Sequence, residues 1–128
     1  MKFNKLALVT GGSRGIGRAI CQRFLDDGYQ VAFFAKEEGR ARAFLKEREG
    51  EALFFYRCDV SSPREIEDAA KAVLTDHGTV SVLVNNAGII KRIPMTEMSV
   101  EEFKQVIDID LNAPFIMSKA VIPGMIKK

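Results

Sequence analysis

Thr10-Gly11-Gly12-Ser13-Arg14-Gly15-Ile16-Gly17 is the stretch whose reading decides the fold. Before it, Leu6, Ala7, Leu8 and Val9 form an apolar run that predicts a buried strand over residues 5–10. After it, Ile16, Ile20 and Phe24 fall at helical spacing and predict an amphipathic helix over residues 16–25. The glycines between them have distinct uses. Gly11 and Gly12 permit a tight turn, Gly15 lets the main chain approach a pyrophosphate, and Gly17 lets the helix pack close to the strand. Free N–H groups at the helix start would then face the phosphates. A glycine-rich turn alone carries little weight, but a strand before it and a helix after it make this one a candidate dinucleotide site.

Working outward, Asp26-Asp27-Gly28 supplies a stop, and residues 30–35, with Val31, Phe33 and Phe34, predict a second strand. A charged helix over residues 38–49 follows, with Ala41, Phe44, Leu45 and Arg48 on one stripe and Gly50 as its stop. Residues 52–58 read as a third strand. Ser62-Pro63-Arg64-Glu65 then reads as a capping box with proline at the first helical position, opening a helix that buries Ile66, Ala69, Ala70, Val73 and Leu74. Residues 79–85 form a fourth strand whose continuous run of Val80, Val82, Leu83 and Val84 suits a parallel sheet covered on both faces. Ser99-Val100-Glu101-Glu102 caps a last long helical stretch, bent near Pro114 and running out at Lys127-Lys128. Strands alternating with helices, joined by right-handed crossovers, predict an α/β fold: a Rossmann-type doubly wound parallel sheet of about four strands, ordered 3-2-1-4, with helices on both faces. The ligand crevice falls between strands one and four, beyond their carboxyl ends, where residues 10–17 and 86–88 meet.

The totals exclude several classes. A chain of 128 residues, 47% apolar with a net charge of +2, suits one soluble unit and shows no linker, repeat or low-complexity run. No basic cluster with interleaved aromatics supports nucleic-acid binding. The apolar run within residues 1–9 is too short for a signal peptide, and nothing later approaches the roughly 18 apolar residues of a membrane span, so a cytoplasmic protein without membrane association is expected. Cys21 and Cys58 read as reduced core residues rather than a disulfide, metal ligands or a nucleophile, and no metal site is expected. His77, the only histidine, precedes Gly78 at a helix end and reads as a C-terminal cation.

The glycine spacing, preceded by Thr10 and followed at distance by Asn85-Asn86-Ala87-Gly88, resembles the short-chain dehydrogenase/reductase family. Thr10 to Gly17 and Ser118-Lys119-Ala120-Val121 are most similar to the 3-oxoacyl-carrier-protein reductases. The stretch 88–128, with Ile107-Asp108-Ile109-Asp110-Leu111-Asn112-Ala113-Pro114-Phe115, also resembles gluconate 5-dehydrogenases. The likeness runs through the whole chain but spans about the first half of a typical family member. It implies an NAD(P)-binding half-domain over residues 1–128, belonging to an oxidoreductase that interconverts a ketone and a secondary alcohol.

On that resemblance the cofactor-binding residues are Gly11, Gly12, Ser13, Arg14, Gly15, Ile16, Gly17, Lys36, Asp59, Val60, Asn86, Ala87 and Gly88. NAD usually meets an acid at the end of the second strand and NADP a cation. Ala35 holds the acid's position and Lys36 follows, with Arg14 as a second cation, so NADP(H) is favoured over NAD(H). For each cation alone, a solvated loop charge is an equal alternative. Asp59 stands where the family's acidic side chain accepts from the adenine amino group, with Val60 covering the ring; the alternative is a strand-ending turn of acidic and serine residues. Asn86, Ala87 and Gly88 would line the adenosine ribose, leaving Asn85 to tie the fourth strand to its neighbour.

The family's proton-handling tyrosine stands four residues before a lysine, with a serine orienting the substrate. Here Tyr29 is followed four residues on by Phe33 and Tyr56 by Val60, so neither forms the pair and the chain alone is expected to be inactive. The resemblance implies one catalytic position here, Asp110, which matches the place where an asparagine more often completes the family's catalytic set; Asn112 would take its place only if the register slipped. A fourth strand at a sheet edge and exposed Phe115, Ile116, Val121 and Ile122 on the last helix would favour self-association. The competing readings are a non-catalytic NADP-binding module, acting as a sensor or regulator, and a designed or truncated half-domain.

Overall fold

The computed structural model describes residues 5–89 and 91–128, so the start of the 1–9 run read above for a leader lies outside the described residues. In chain order the elements are β1 (Leu6–Thr10), α1 (Gly15–Asp26), β2 (Gln30–Ala35), α2 (Glu38–Glu47), β3 (Leu53–Arg57), α3 (Pro63–His77) and β4 (Val82–Val84). Then come α4 (Val100–Ile107), a π-helical segment (Asp108–Asn112) and α5 (Ala113–Lys127). The four strands are parallel and ordered β3-β2-β1-β4, with Leu8 opposite Ala32 on one side and Leu83 on the other.

Strand alternation divides the core between the two faces of the sheet. Leu6 and Leu8 of β1, with Ala32 and Phe34 of β2, pack against Ile66, Ala69 and Val73 of α3 and Ala113, Met117 and Val121 of α5. Ala7 and Val9, with Val31, Phe33 and Ala35, pack on the opposite face against Cys21 and Leu25 of α1 and Ala41 and Phe44 of α2. Phe33 anchors this second layer: its ring centroid lies 5.4 Å from that of Phe44 and 5.4 Å from that of Phe55. Burial of each such side chain contributes about 1.5–3 kcal/mol.

Several boundaries and contacts differ from the sequence reading. Helix α2 ends at Glu47, where Arg48 leaves helical geometry (φ −112°, ψ 34°), and the Arg48 side chain bonds Asp26 and Glu51. Ile16 is 76% exposed; the inward stripe of α1 is Gly17, Cys21 and Leu25, with Ile20 and Phe24 only partly covered. The fourth strand is three residues long and half-buried rather than a covered run, since β4 stands at the edge of the sheet with β1 as its one neighbour among the described residues. Val121 is buried against the core and Ile116 half-buried, so the exposed apolar side chains of α5 are Phe115, Ile122 and Ile126. His77 ends α3 as expected, but its ring also packs 4.4 Å from that of Phe54. Its Nε2 lies 2.9 Å from the Tyr56 hydroxyl, which donates to Asp76 at 2.6 Å.

The bend expected near Pro114 is a π-helical turn. Ala113 N–H donates to the carbonyl of Asp108, five residues back, and Pro114 has no N–H to return to the Asp110 carbonyl. Ser99 and Glu102 cap α4 reciprocally, the Ser99 side chain accepting from Glu102 N–H at 3.0 Å and the Glu102 carboxylate from Ser99 N–H at 3.1 Å. Among the described residues no helix is long and apolar enough to cross a membrane.

Cys21 and Cys58 are buried free thiols on opposite faces of the sheet. Burial pushes the Cys21 thiol up to about 12, and burial, reinforced by the charges of Glu65 and Asp59, pushes Cys58 up to about 12. Both should therefore stay protonated and unreactive toward a water-soluble disulfide reagent at about pH 8.5, where an unperturbed thiol is half ionised. Thiol titration of the folded chain is expected to read neither group, and titration in denaturant both.

Candidate functional site

At the carboxyl end of β1, Thr10 is the one buried polar side chain among the described residues. Its hydroxyl oxygen accepts from Asn86 N–H at 3.0 Å and Ala87 N–H at 2.9 Å. The Asn86 side-chain amide then donates back to the carbonyls of Thr10 (3.2 Å) and Gly11 (3.1 Å). The tie between the ends of β1 and β4 is thus made by Asn86, whereas Asn85, the residue expected to make it, is exposed. A two-residue alternation in an extended chain sends neighbouring side chains opposite ways, and it is Asn86 that points to β1. Thr10 was read only as the start of the glycine motif; a hydroxyl closing an otherwise apolar buried strand was the available signal, because such a group must find partners.

The glycine turn is built against this clasp. Gly11 takes φ +67°, and its N–H and that of Gly12 both donate to the Phe34 carbonyl, at 2.8 and 3.2 Å. A Cβ on Gly12 would stand 2.5 Å from the Cβ of Phe33. One on Gly17 would stand 2.0 Å from the Gly11 carbonyl oxygen and 2.4 Å from the Asn86 amide nitrogen. Gly17 therefore allows the close helix–strand approach expected of it. Gly15 differs: at φ +55° it has no atom within 4 Å of a Cβ position and faces open space. Arg14 precedes the helix in extended conformation without a side-chain cap, and Ile16 is exposed on the first turn. An α-helix leaves its first N–H groups without internal partners, and those of α1 follow directly on Arg14.

At the ends of β2 and β3, Lys36 Nζ lies 3.6 Å from Asp59 Oδ2. Asp59 Oδ1 accepts from Ser61 N–H at 3.0 Å and from Ser61 Oγ at 2.7 Å, so the strand-ending turn of acidic and serine residues is present. Burial works to raise the Asp59 carboxyl, but the Ser61 bonds and the Lys36 charge outweigh it and hold the group below the usual range. Glu65 does not close the expected capping box. Ser62 Oγ accepts from Glu65 N–H, but Glu65 Oε1 accepts from Asp59 N–H at 3.0 Å and from Arg57 at 2.7 Å, fixing the backbone of Asp59 instead. Val60 is half-buried against the α3–α5 layer.

Near the loop after β4, Asp110 Oδ1 accepts from Ile89 N–H at 2.9 Å, and a Cβ on Gly88 would stand 3.3 Å from the same oxygen. Asn112 instead donates to Asp108 at 2.9 Å. Thr10→Val is nearly isosteric and would leave the N–H groups of Asn86 and Ala87 without their acceptor. A loss of about 2 kcal/mol or more of stability is expected, read from urea unfolding.

The sequence model of the short chain dehydrogenase family matches residues 5–128. The chain is 35% identical to 2-dehydro-3-deoxy-D-gluconate 5-dehydrogenase of Formosa agariphila, over 97% of this chain and 48% of that one. It is 38% identical to a 3-oxoacyl-acyl-carrier-protein reductase of Staphylococcus epidermidis, over 98% and 53%. Among solved structures, a metagenomic short-chain oxidoreductase in complex with NADP superposes with a TM-score of 0.91 at 35% identity, covering 97% of this chain and 57% of that one. The 2-keto-3-deoxy-D-gluconate dehydrogenase of Streptococcus agalactiae superposes with a TM-score of 0.85 at 46% identity, covering 96% and 47%. The chain spans about half the length of the curated relatives it matches. With the family match running from the first described strand to the last residue, the chain belongs to the short-chain dehydrogenase/reductase family.

Proposed function

We propose that residues 1–128 form the NAD(P)-binding half of an oxidoreductase that interconverts a ketone and a secondary alcohol, and that they hold NADP(H) in preference to NAD(H). The observation that carries this reading is the open space at Gly15, at the start of α1, with Lys36 rather than an acid after β2. A pyrophosphate would sit on the N–H groups of the glycine turn and the start of α1, beside Ser13 and Ile16. Lys36 and Arg14, both exposed cations, would meet a 2′-phosphate. Asp59 and Val60 would border the adenine, and Ala87 and Gly88 the ribose. Asn86 would contribute chiefly by holding that loop, since its amide hydrogens are committed to Thr10 and Gly11.

When bound, the nicotinamide supplies hydride acceptance or donation. Asp110 acts as a positioning residue, holding the Ile89 backbone from the π-helical turn. No Tyr-x-x-x-Lys stands among the 128 residues, so binding without turnover is the expected behaviour of this chain by itself. Fluorescence titration of the 128-residue chain with NADPH beside NADH tests the reading. Micromolar binding with NADPH tighter supports it; a folded chain that binds neither, or binds NADH more tightly, overturns it.

The same reading includes self-association. Phe103 of α4, Leu111 of the π-helical segment, and Phe115 and Ile122 of α5 are exposed apolar side chains along one helical stretch, and β4 offers a sheet edge. Light scattering is expected to report a species larger than a monomer, and a monodisperse monomer would contradict it.

A further inference from the structure

We infer that Asp59 sets the degree of discrimination between NADP(H) and NAD(H), acting through Lys36. This deepens the binding role proposed above and rests on it. The two side chains are unequally held. The Asp59 carboxylate is fixed from three directions: Ser61 N–H and Oγ donate to Oδ1, and Asp59's own N–H is tied to Glu65, which also holds Arg57. Its side chain is 22% exposed. Lys36 is 63% exposed on a flexible stem, and its ammonium lies 3.6 Å from the carboxylate oxygen that Ser61 leaves free.

A phosphate monoester reaching Lys36 therefore enters the field of a carboxylate that cannot retreat. The lysine must divide its charge between two anions, so its attraction for the phosphate is reduced. A neutral 2′-hydroxyl does not depend on that attraction. Asp59 thus lowers the advantage that Lys36 gives to the phosphorylated cofactor, while keeping the lysine placed at the end of β2. Any contact of Asp59 with adenine would by contrast act equally on both cofactors, because they share that ring.

Binding of NADPH and NADH, and of 2′,5′-ADP and 5′-AMP as probes of the adenosine end, is measured by calorimetry in the 128-residue chain and its variants. The variants are Asp59→Asn, Lys36→Gln and the two combined. Asparagine keeps an oxygen for Ser61; Asp59→Ser, which also retains a turn-forming acceptor, serves if Asp59→Asn unfolds. Asp59→Asn is expected to raise the preference for the phosphorylated partner of each pair by about threefold, the scale of an exposed ion pair, and by more at low salt. In the Lys36→Gln background the same substitution is expected to change that preference by less than about 1.5-fold. Equal shifts for both members of a pair, an unchanged or falling preference, or a gain that persists undiminished without Lys36 would each overturn the inference and leave the cofactor reading intact. A folded wild-type chain that binds none of the four ligands would overturn both.

Discussion

One hydroxyl group holds the crevice together. Thr10 ends a strand buried on both faces, and its oxygen accepts two backbone N–H groups from the far side of the topological switch point. The Asn86 amide completes the clasp by donating to the first two carbonyls of the glycine turn. The turn cannot move without breaking these bonds, and Gly17 packs so tightly on the Gly11 carbonyl that α1 is referenced to the same point. The position of the helix N-terminus is in this sense set from β4. Four polar contacts in a partly desolvated place do what the apolar layers cannot, because apolar packing fixes which faces meet but resists small slides only weakly.

The architecture was legible because its signals are periodic and redundant. Alternating apolar runs and helical stripes gave all four strands, the strand order and the crevice, and parallel pairing left little freedom once the first βαβ crossover was placed. What escaped reading depended on single atoms. That Asn86 and not Asn85 reaches β1 turns on the parity of an extended chain whose last paired residue is Val84. That Glu65 serves Asp59 and Arg57, not the Ser62 backbone, turns on Ser62 N–H having already been taken by the Asp59 carbonyl. A capping-box pattern specifies that two groups can meet, and a neighbouring donor decides whether they do.

The candidate site shows the same division. Gly17 packs against the clasp as its reading requires, whereas Gly12, read for a tight turn, is also a place where a side chain would collide, with Phe33. Gly15 belongs to another class, since its freedom is toward solvent. At the far end, Asp59 makes the strand-ending turn with Ser61 through one oxygen, and its other oxygen faces Lys36, a pairing the sequence reading did not include.

The π-helical segment has a consequence for how the chain tolerates change in length. It accommodates an extra residue in one turn between α4 and α5, and each residue of an α-helix turns the chain by about 100°. Deleting one residue from 108–112 would restore a regular helix and, because the wide turn absorbs that one residue, leave Met117 and Val121 facing the sheet. The wide turn therefore holds its extra residue without disturbing the packing downstream of it. The oxygen that Asp110 presents to Ile89 and the apolar face that α5 presents to β1 are phased together, as two marks on one shaft.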